Sequence, residues 1–218
     1  MKAVITGSNR GIGLEFCKQL KERGYEVIAL CRSTSQELKK LNIQVIDNTD
    51  IRNVDDLNIV KKKIDAPIDL LINNAGIFIQ DDLKSLNFKT LQEQIEVNSL
   101  GPLKVTLALL SLMQENTKVV MITSRLGSIA STSESTYCGY RASKAALNMI
   151  SKTLSIELKP KGISVGIFHP GYVSTDMTDH KGDLKPKTSV GNILKLLEKL
   201  NIENSGTFWH EDGSIIPW

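Results

Sequence analysis

The chain has 218 residues, a length that accommodates one α/β domain and leaves no room for a second domain of ordinary size. Apolar residues make up 41% of the chain and charged residues 23%, and the net charge is +3. This balance is typical of a globular protein, and it gives no reason to expect nucleic acid or an anionic membrane as a partner.

The cysteines and the apolar runs give expectations about location. Cys17, Cys31 and Cys138 are odd in number and scattered, and no pair of them has the spacing of metal ligands. Reduced thiols of this kind are typical of a cytosolic protein. Met1 leads directly into an apolar run, so no signal peptide is expected, and no apolar stretch approaches 18 residues. We therefore expect a cytoplasmic protein without a metal site or a membrane span.

Short apolar runs alternate with helical patterns along the chain. Strands are predicted over residues 2–6, 26–31, 43–47, 69–72, 118–122, 163–168 and 206–210. Helices are predicted near residues 11–23, 35–40, 53–64, 88–115, 137–159 and 188–200. This alternation produces right-handed crossovers between parallel strands, and mostly continuous apolar strands indicate a sheet buried on both faces. The sequence therefore predicts a single α/β domain over residues 1–218, with a doubly wound, Rossmann-type sheet of about seven strands.

The helix predicted over residues 142–159 has two apolar stripes at about 100° per residue. The first stripe contains Ala145, Ala146, Met149, Thr153 and Ile156, and the second contains Leu147, Ile150, Leu154 and Leu158. One stripe can cover the sheet, whereas the other requires a further helix or a second subunit. Both alternatives stay open, and the second predicts a homodimer or homotetramer.

A glycine-rich segment, Thr6-Gly7-Ser8-Asn9-Arg10-Gly11-Ile12-Gly13, links the first predicted strand to the first helix. Glycine lets the backbone approach a pyrophosphate closely, and the following helix N-terminus offers free N–H groups and the positive end of its dipole. A glycine triplet alone also fits an ordinary turn. Its position between a strand and a helix of a βαβ unit predicts a dinucleotide site.

Tyr140 and Lys144 are four residues apart, so a helix presents both on one face. A nearby cation favours the phenolate, and it would lower a tyrosine pKa that otherwise lies near 10. Tyr140 would then be a proton donor to a developing alkoxide, or a base toward an alcohol. The same spacing also occurs in ordinary surface pairs.

The Gly-x-x-x-Gly-x-Gly spacing resembles that of the short-chain dehydrogenase/reductase family, and three further motifs extend the resemblance along nearly the whole chain. Asn73-Asn74-Ala75-Gly76 resembles the family's sheet-stabilising motif, and Asp47-Asn48 resembles its adenine-binding corner, although a hydrophobic residue is commoner than Asn48. Pro170-Gly171-Tyr172-Val173-Ser174-Thr175 resembles the loop that meets the nicotinamide carboxamide. The cofactor-binding residues that we predict are Gly7, Asn9, Arg10, Gly11, Ile12, Gly13, Arg32, Asp47, Asn48, Asn74, Ala75, Gly76, Tyr140, Lys144, Pro170, Gly171, Val173 and Thr175.

The resemblance also implies the catalytic residues. Tyr140 would be the acid/base, Lys144 would also hold the nicotinamide ribose, and Ser124, at the end of the fifth strand, would hold the substrate oxygen. Asn98 resembles the fourth catalytic residue, where a helix distortion and a bound water link the lysine to solvent. Ser124 lies 16 residues before Tyr140, farther than usual, and Ser128 lies 12 before it, so Ser128 is the alternative.

Two aromatic residues, Tyr137 and Phe78, are further candidates for the substrate end of the site. Tyr137 would pair with Arg141, which does not deprotonate, so it is a weaker candidate than Tyr140 for the acid/base. With Phe78 and Leu126, Tyr137 is a candidate for the lining of the substrate pocket. A short polar lid is predicted near residues 176–187 because Gly182, Pro186 and several charges lie there.

Leu126-Gly127-Ser128-Ile129 and the ending Asp212-Gly213-x-x-x-Pro217-Trp218 resemble the sniffer/C-factor-like carbonyl reductases. That group implies NADPH-dependent reduction of a small-molecule aldehyde, ketone or quinone. The second predicted strand ends in Cys31-Arg32 rather than in the acidic residue of NAD enzymes, and Arg10 can meet a 2′-phosphate from the other side. The alternatives are an NAD(H)-linked alcohol or hydroxysteroid dehydrogenase, and a dinucleotide-binding signalling protein without turnover.

Overall fold

The computed structural model describes residues 1–65 and 67–218, and within them seven parallel strands form one sheet. The strands are β1 (Lys2–Thr6), β2 (Glu26–Leu30), β3 (Gln44–Ile46), β4 (Ile68–Asn73), β5 (Met113–Ile122), β6 (Ser164–His169) and β7 (Phe208–His210). Their order is β3-β2-β1-β4-β5-β6-β7, so the chain winds outward from β1 in one direction and from β4 in the other. The predicted doubly wound, Rossmann-type sheet is confirmed.

Helices cover both faces of this sheet. They are α1 (Gly11–Glu22), α2 (Gln36–Lys40), α3 (Val54–Lys62), α4 (Phe88–Ile95), α5 (Gly101–Leu109), α6 (Cys138–Leu158) and α7 (Pro186–Lys199). Neighbouring strand residues point to opposite faces, so Val4 packs in the core layer under α3, α5 and α6, while Ile5 packs in the layer under α1, α2 and α7. Both strand faces are thereby buried, as the continuous apolar strands predict.

The prediction of one continuous helix over residues 88–115 is wrong in two respects. The helical hydrogen bonding widens to a π-helix over Glu96–Leu100, which separates α4 from α5. The helix then ends in a 3₁₀ turn at Leu110–Leu112, and residues 113–115 belong to β5, where Met113 pairs with Ile68. Apolar periodicity misses both features because it continues unchanged through them.

The stretch Phe88–Leu112 contains an 18-residue window with a mean hydropathy of 1.2, and so meets the length and composition test for a membrane span. Here Val97, Val105 and Leu109 pack into the core layer under α5 and α6. This is the arrangement of a core helix in an α/β sandwich, which passes the same test.

Helix α6 places its two apolar stripes in different environments. Leu147, Leu154 and Leu158 are buried against the sheet. In the other stripe, Met149 is 69% exposed and Ile156 is 66% exposed. The stripe from Ala145 to Ile156 is therefore the more exposed of the two, with Ala145 and Ala146 half-buried.

The segment predicted as a lid, residues 176–187, contains a short turn and the first residues of a helix. A 3₁₀ turn forms at Asp176–Thr178, and Leu184 pairs with Val173 in an isolated bridge. Helix α7 begins at Pro186, two residues before its predicted start. Proline suits the first turn of a helix, because its fixed φ is helical and its missing N–H would have no partner there.

Candidate functional site

A cleft of about 240 Å³ opens at the carboxyl edge of the sheet, beside the point where the winding reverses. Open α/β sheets bind ligands at this position. The predicted site residues that line the cleft are Gly7, Asn9, Arg10, Gly11, Ile12, Arg32, Asn74, Ala75, Gly76, Tyr140, Lys144, Pro170 and Thr175. The predicted residues that lie outside its lining are Gly13, Asp47, Asn48, Asn98, Ser124, Gly171 and Val173.

Two turns meet at the floor of the cleft. Thr6 Oγ accepts hydrogen bonds from the amides of Asn74 and Ala75, each at 3.0 Å, and Asn74 Nδ2 donates to Thr6 O at 3.0 Å and to Gly7 O at 3.2 Å. Gly7 has φ +66°, and a Cβ there would lie 2.8 Å from Ala75 Cα. Only glycine allows the two turns this approach.

Helix α1 begins directly at the cleft and has free backbone donors. Its N-cap residue, Arg10, is extended, makes no side-chain cap, and is followed by no acidic residue in the first turn. The first N–H groups of the helix therefore remain available beside the lining residues Gly11 and Ile12. Backbone N–H groups without acceptors, at the positive end of a helix dipole, suit the binding of a pyrophosphate.

The segment that resembles the family's adenine-binding corner lies just outside the lining of the cleft. Asp47 and Asn48 are exposed and lie outside the lining, whereas Thr49, Asp50, Ile51 and Arg52 line the cleft. Asn48 adopts φ +51°, which turns the chain, and the Thr49 amide then donates to Cys31 O at 3.0 Å. This bond draws the residues after Asn48, rather than the predicted pair, toward the end of β2.

Charged side chains surround the same end of the cleft. Arg52 forms an ion pair with Asp50 at 2.6 Å, and this pair keeps the pKa of the Asp50 carboxyl below its usual value. Arg10 forms an exposed ion pair with Asp176 at 3.1 Å. Arg32 lines the cleft beside Cys31. The sequence analysis missed Arg52, although a basic residue just after the predicted adenine corner was an available signal.

Tyr140 and Lys144, both on α6, lie at the other end of the cleft. Lys144 Nζ donates to Ile122 O at 3.0 Å and lies 5.7 Å from the centroid of the Tyr140 ring. Ser124 follows β5, caps the 3₁₀ turn Arg125–Gly127 through the Leu126 amide at 3.2 Å, and lies close enough to Tyr140 for its side chain to lower the pKa of the phenol. The Ser128 hydroxyl instead donates to Pro217 O at 2.6 Å. Of the two serines, Ser124 is the one beside Tyr140.

The expected lowering of the Tyr140 pKa is wrong for this structure. Burial raises the pKa of Tyr140 to about 12, and the nearby Ser124 side chain opposes this shift only in part. Burial also lowers the pKa of Lys144 to about 8. Desolvation dominates because Lys144 Nζ lies over the ring rather than beside the phenolic oxygen. At neutral pH Tyr140 is therefore protonated and suited to donate a proton.

Asn98 lies in the π-helix, so the helix is distorted at the residue where the resemblance implies it. Its Oδ1 accepts from the Ile77 amide at 2.8 Å, and its Nδ2 donates to Ile77 O at 2.9 Å and to Ser143 Oγ at 3.0 Å. A Cβ on Gly76 would lie 3.2 Å from Asn98 Oδ1 and 3.8 Å from Lys144 Nζ. Asn98 and Lys144 thus flank the backbone of Gly76.

Two aromatic rings, those of Phe78 and Tyr137, lie beside Tyr140. The Phe78 ring contacts Tyr140 edge-on with centroids 5.0 Å apart, and it contacts Tyr137 in the same way at 5.1 Å. Tyr137 has φ +60°, which is strained for a residue with a large side chain. Leu126 lies in the 3₁₀ turn that Ser124 caps. Phe78 and Tyr137, two of the three residues predicted to line the substrate pocket, therefore form an edge-on cluster with Tyr140, just outside the lining of the cleft.

Residues 1–185 match the family model described as short chain dehydrogenase. A 1-hydroxy-2-glutathionyl-2-methyl-3-butene dehydrogenase of Rhodococcus sp. (strain AD45) is 32% identical over 222 residues, covering 99% of this chain and 98% of that protein. The C-signal protein of Myxococcus xanthus is 37% identical over 156 residues, covering 70% of this chain and 94% of that protein. The first similarity spans nearly the whole chain and therefore includes the cleft residues.

Solved structures with the same fold include two carbonyl reductases. The Sniffer carbonyl reductase of D. melanogaster superposes with a TM-score of 0.93 at 30% identity, covering all of this chain and 99% of that one. The NADPH-bound carbonyl reductase from chicken fatty liver superposes with a TM-score of 0.91 at 28% identity, covering all of this chain and 98% of that one.

Proposed function

This chain belongs to the short-chain dehydrogenase family, and from that membership we propose that it reduces the carbonyl group of an aldehyde, ketone or quinone with NADPH. The observation that carries the proposal is the placement of Tyr140 and Lys144 together in the lining of the cleft, with Ser124 beside Tyr140. A tyrosine that keeps its proton at neutral pH suits reduction, because reduction consumes a proton.

Bound NADPH would supply the hydride that reduces the carbonyl carbon. The hydroxyls of Ser124 and Tyr140 hold the carbonyl oxygen, and Tyr140 transfers its proton as negative charge develops there. The Lys144 ammonium would stabilise the phenolate that remains and would hydrogen-bond the nicotinamide ribose. Asn98 holds the Ile77 backbone beside Lys144. The free amides of α1 and the Gly7 turn would hold the pyrophosphate.

The preference for NADPH is supported by the residues at the end of β2. NAD enzymes of this fold place an acidic residue there to accept from the adenosine 2′-hydroxyl, and this chain has Cys31 followed by Arg32. Arg10 and Arg32 both line the cleft, and a guanidinium binds phosphate oxygens bidentately. Carbonyl reductase neighbours, one of them NADPH-bound, agree with this preference.

A second candidate function is oxidation of an alcohol. It is favoured by one observation, the 32% identity across nearly the whole chain to a Rhodococcus protein named as a dehydrogenase. The same residues serve both directions, and the tyrosine acts as a base when the alcohol is oxidised. A dinucleotide-binding signalling role without turnover is the remaining alternative.

Replacing Tyr140 by phenylalanine tests the proposed reaction, because it removes the proton donor and little else. We expect turnover of the best aldehyde, ketone or quinone in a panel to fall by about 10²- to 10⁴-fold. Turnover is followed by the loss of NADPH absorbance at 340 nm, and NADPH affinity should stay within about twofold. Activity of Tyr140→Phe within threefold of wild type would exclude the proposed role.

Replacing Arg10 or Arg32 by alanine tests the cofactor preference. Loss of one charged hydrogen bond, worth about 1.5–3 kcal/mol, should weaken NADPH binding by about 10- to 100-fold and leave NADH use unchanged. The measurement is kcat/KM with each cofactor for wild type and both variants. Equal use of both cofactors by wild type would contradict the preference, and equal losses with both in the variants would indicate structural damage.

The assembly and the location are also proposals. The more exposed stripe on α6, with Met149 and Ile156 exposed, supports a homodimer or homotetramer packed through this helix. Three free cysteines, two of them buried, support a cytoplasmic location.

A further inference from the structure

Helix α6 carries Tyr140 in its first turn, but it has no cap of its own. Its N-cap residue, Tyr137, is in the left-handed region at φ +60° and makes no side-chain cap. The first turn has no acidic residue. A helix end buried beside a reactive group needs acceptors for its free amides, so they must come from elsewhere in the chain.

Asp81, in the loop after β4, supplies these acceptors from 58 residues earlier. The Gly139 amide donates to Asp81 Oδ2 at 2.8 Å, and the Tyr137 amide donates to the Asp81 backbone carbonyl at 3.3 Å. A carboxylate at this position also interacts favourably with the positive end of the helix dipole. The other carboxylate oxygen, Oδ1, is buried and has no hydrogen-bond partner in the described residues.

Gln94 of α4 holds this loop in place. The Gln94 side chain is fully buried, its Oε1 accepts from the Ile79 amide at 3.0 Å, and its Nε2 lies 3.5 Å from Asp81 Oδ2. A buried amide that meets both ends of a short segment fixes the segment against the helix behind it.

Gly139 is the residue that makes the contact possible. A Cβ at this position would lie 2.6 Å from Asp81 Oδ2 and 2.7 Å from Gln94 Nε2, closer than real Cβ atoms come. The sequence therefore has no side chain at the point where the loop carboxylate meets the catalytic helix.

We propose that Asp81 is a positioning residue for the proposed reaction: its carboxylate clamps the first turn of α6 to the loop after β4 and thereby fixes Tyr140. Tyr140 directly follows the clamped Gly139, and its ring meets Phe78 of the same loop at 5.0 Å. The clamp therefore fixes the positions of both Tyr140 and the Phe78 ring beside it. This inference rests on the proposed function, because it assigns Asp81 to the same site.

The test compares Asp81→Ala with Asp81→Asn and with a matched control, Asp82→Ala. Asp82 caps the neighbouring 3₁₀ turn through the Lys84 amide at 3.0 Å, and that turn carries none of the catalytic residues. In Asp81→Ala, hydrogen exchange of the Gly139 amide should become about 5- to 10-fold faster, as for other lost N-caps. Its kcat should fall about 10- to 100-fold, with the KM for NADPH unchanged, since small misplacements of a reacting group cost this much.

Asp81→Asn should restore both readouts to near wild type, because its amide oxygen can still accept from Gly139 while its NH₂ group takes the position of the unpartnered Oδ1. Asp82→Ala should match wild type.

Two results would overturn the proposal: Gly139 exchange in Asp81→Ala equal to that in Asp82→Ala, or faster exchange with unchanged kcat. If wild type reduces no carbonyl in the panel, the proposed function fails. The exchange comparison then decides by itself whether Asp81 holds the catalytic helix.

Discussion

Replacing Lys144 by methionine should stabilise the protein at neutral pH while it abolishes turnover. Lys144 is 5% exposed, and burial lowers its pKa from 10.5 to about 8. The folded protein therefore holds a charge at pH 7 that would be better solvated in the unfolded chain. A difference of about 2.5 pH units corresponds to a penalty of about 3 kcal/mol. Methionine removes the charge and keeps an unbranched side chain of similar length.

The gain in stability should decrease as the pH rises. The penalty is fully present below pH 8, where both folded and unfolded states are charged, and it disappears between pH 8 and 10.5 as only the unfolded state keeps its proton. Loss of the 3.0 Å hydrogen bond to Ile122 O reduces the gain in the free energy of unfolding by about 1 kcal/mol at every pH. The net gain should be about 2 kcal/mol at pH 7 and near zero at pH 10.

Urea unfolding of the cofactor-free protein at pH 7 and pH 10 measures this difference. With an m-value of about 2 kcal/mol/M, the midpoint should rise by about 1 M at pH 7. Lys152→Met, at an exposed position on the same helix, is the control and should leave the midpoint unchanged at both pH values. A gain of equal size at pH 7 and pH 10 would assign the effect to packing, and a loss at pH 7 would refute the reasoning.

Three further outcomes are expected. Ser124→Ala should lower kcat by about 10²- to 10³-fold, whereas Ser128→Ala should leave it nearly unchanged because that hydroxyl bonds Pro217 O; the reverse order would make Ser128 the donor. Asp176→Asn should tighten NADPH about two- to threefold by releasing Arg10 from an exposed ion pair; fluorescence titration should find NADH unaffected, and equal tightening of both would contradict this. Ile156→Lys should reduce the mass in light scattering to the 24.1 kDa monomer, and a monomeric wild type would contradict self-association.

Local pattern determined most of the fold. Each of the seven strands overlaps its predicted range, and β1 has the predicted limits. The glycine segment between β1 and α1, and the Tyr140–Lys144 spacing on α6, are likewise local features. Short-range periodicity and turn chemistry encode such elements, and the right-handed crossover rule then limits how they assemble. The sequence by itself was therefore sufficient for the doubly wound sheet and for the position of the cleft.

The tertiary structure decided which groups meet in the cleft and in what protonation state. The Tyr140 pKa rises rather than falls because its surroundings bury both Tyr140 and Lys144. Ser124 lies beside Tyr140 whereas the Ser128 hydroxyl bonds Pro217 O, and the 3₁₀ turn between the two serines sets these different directions. The contact of Asp81 with α6 joins residues 58 positions apart. Burial and long-range hydrogen bonds depend on several elements packed together, and no local pattern in the chain encodes that packing.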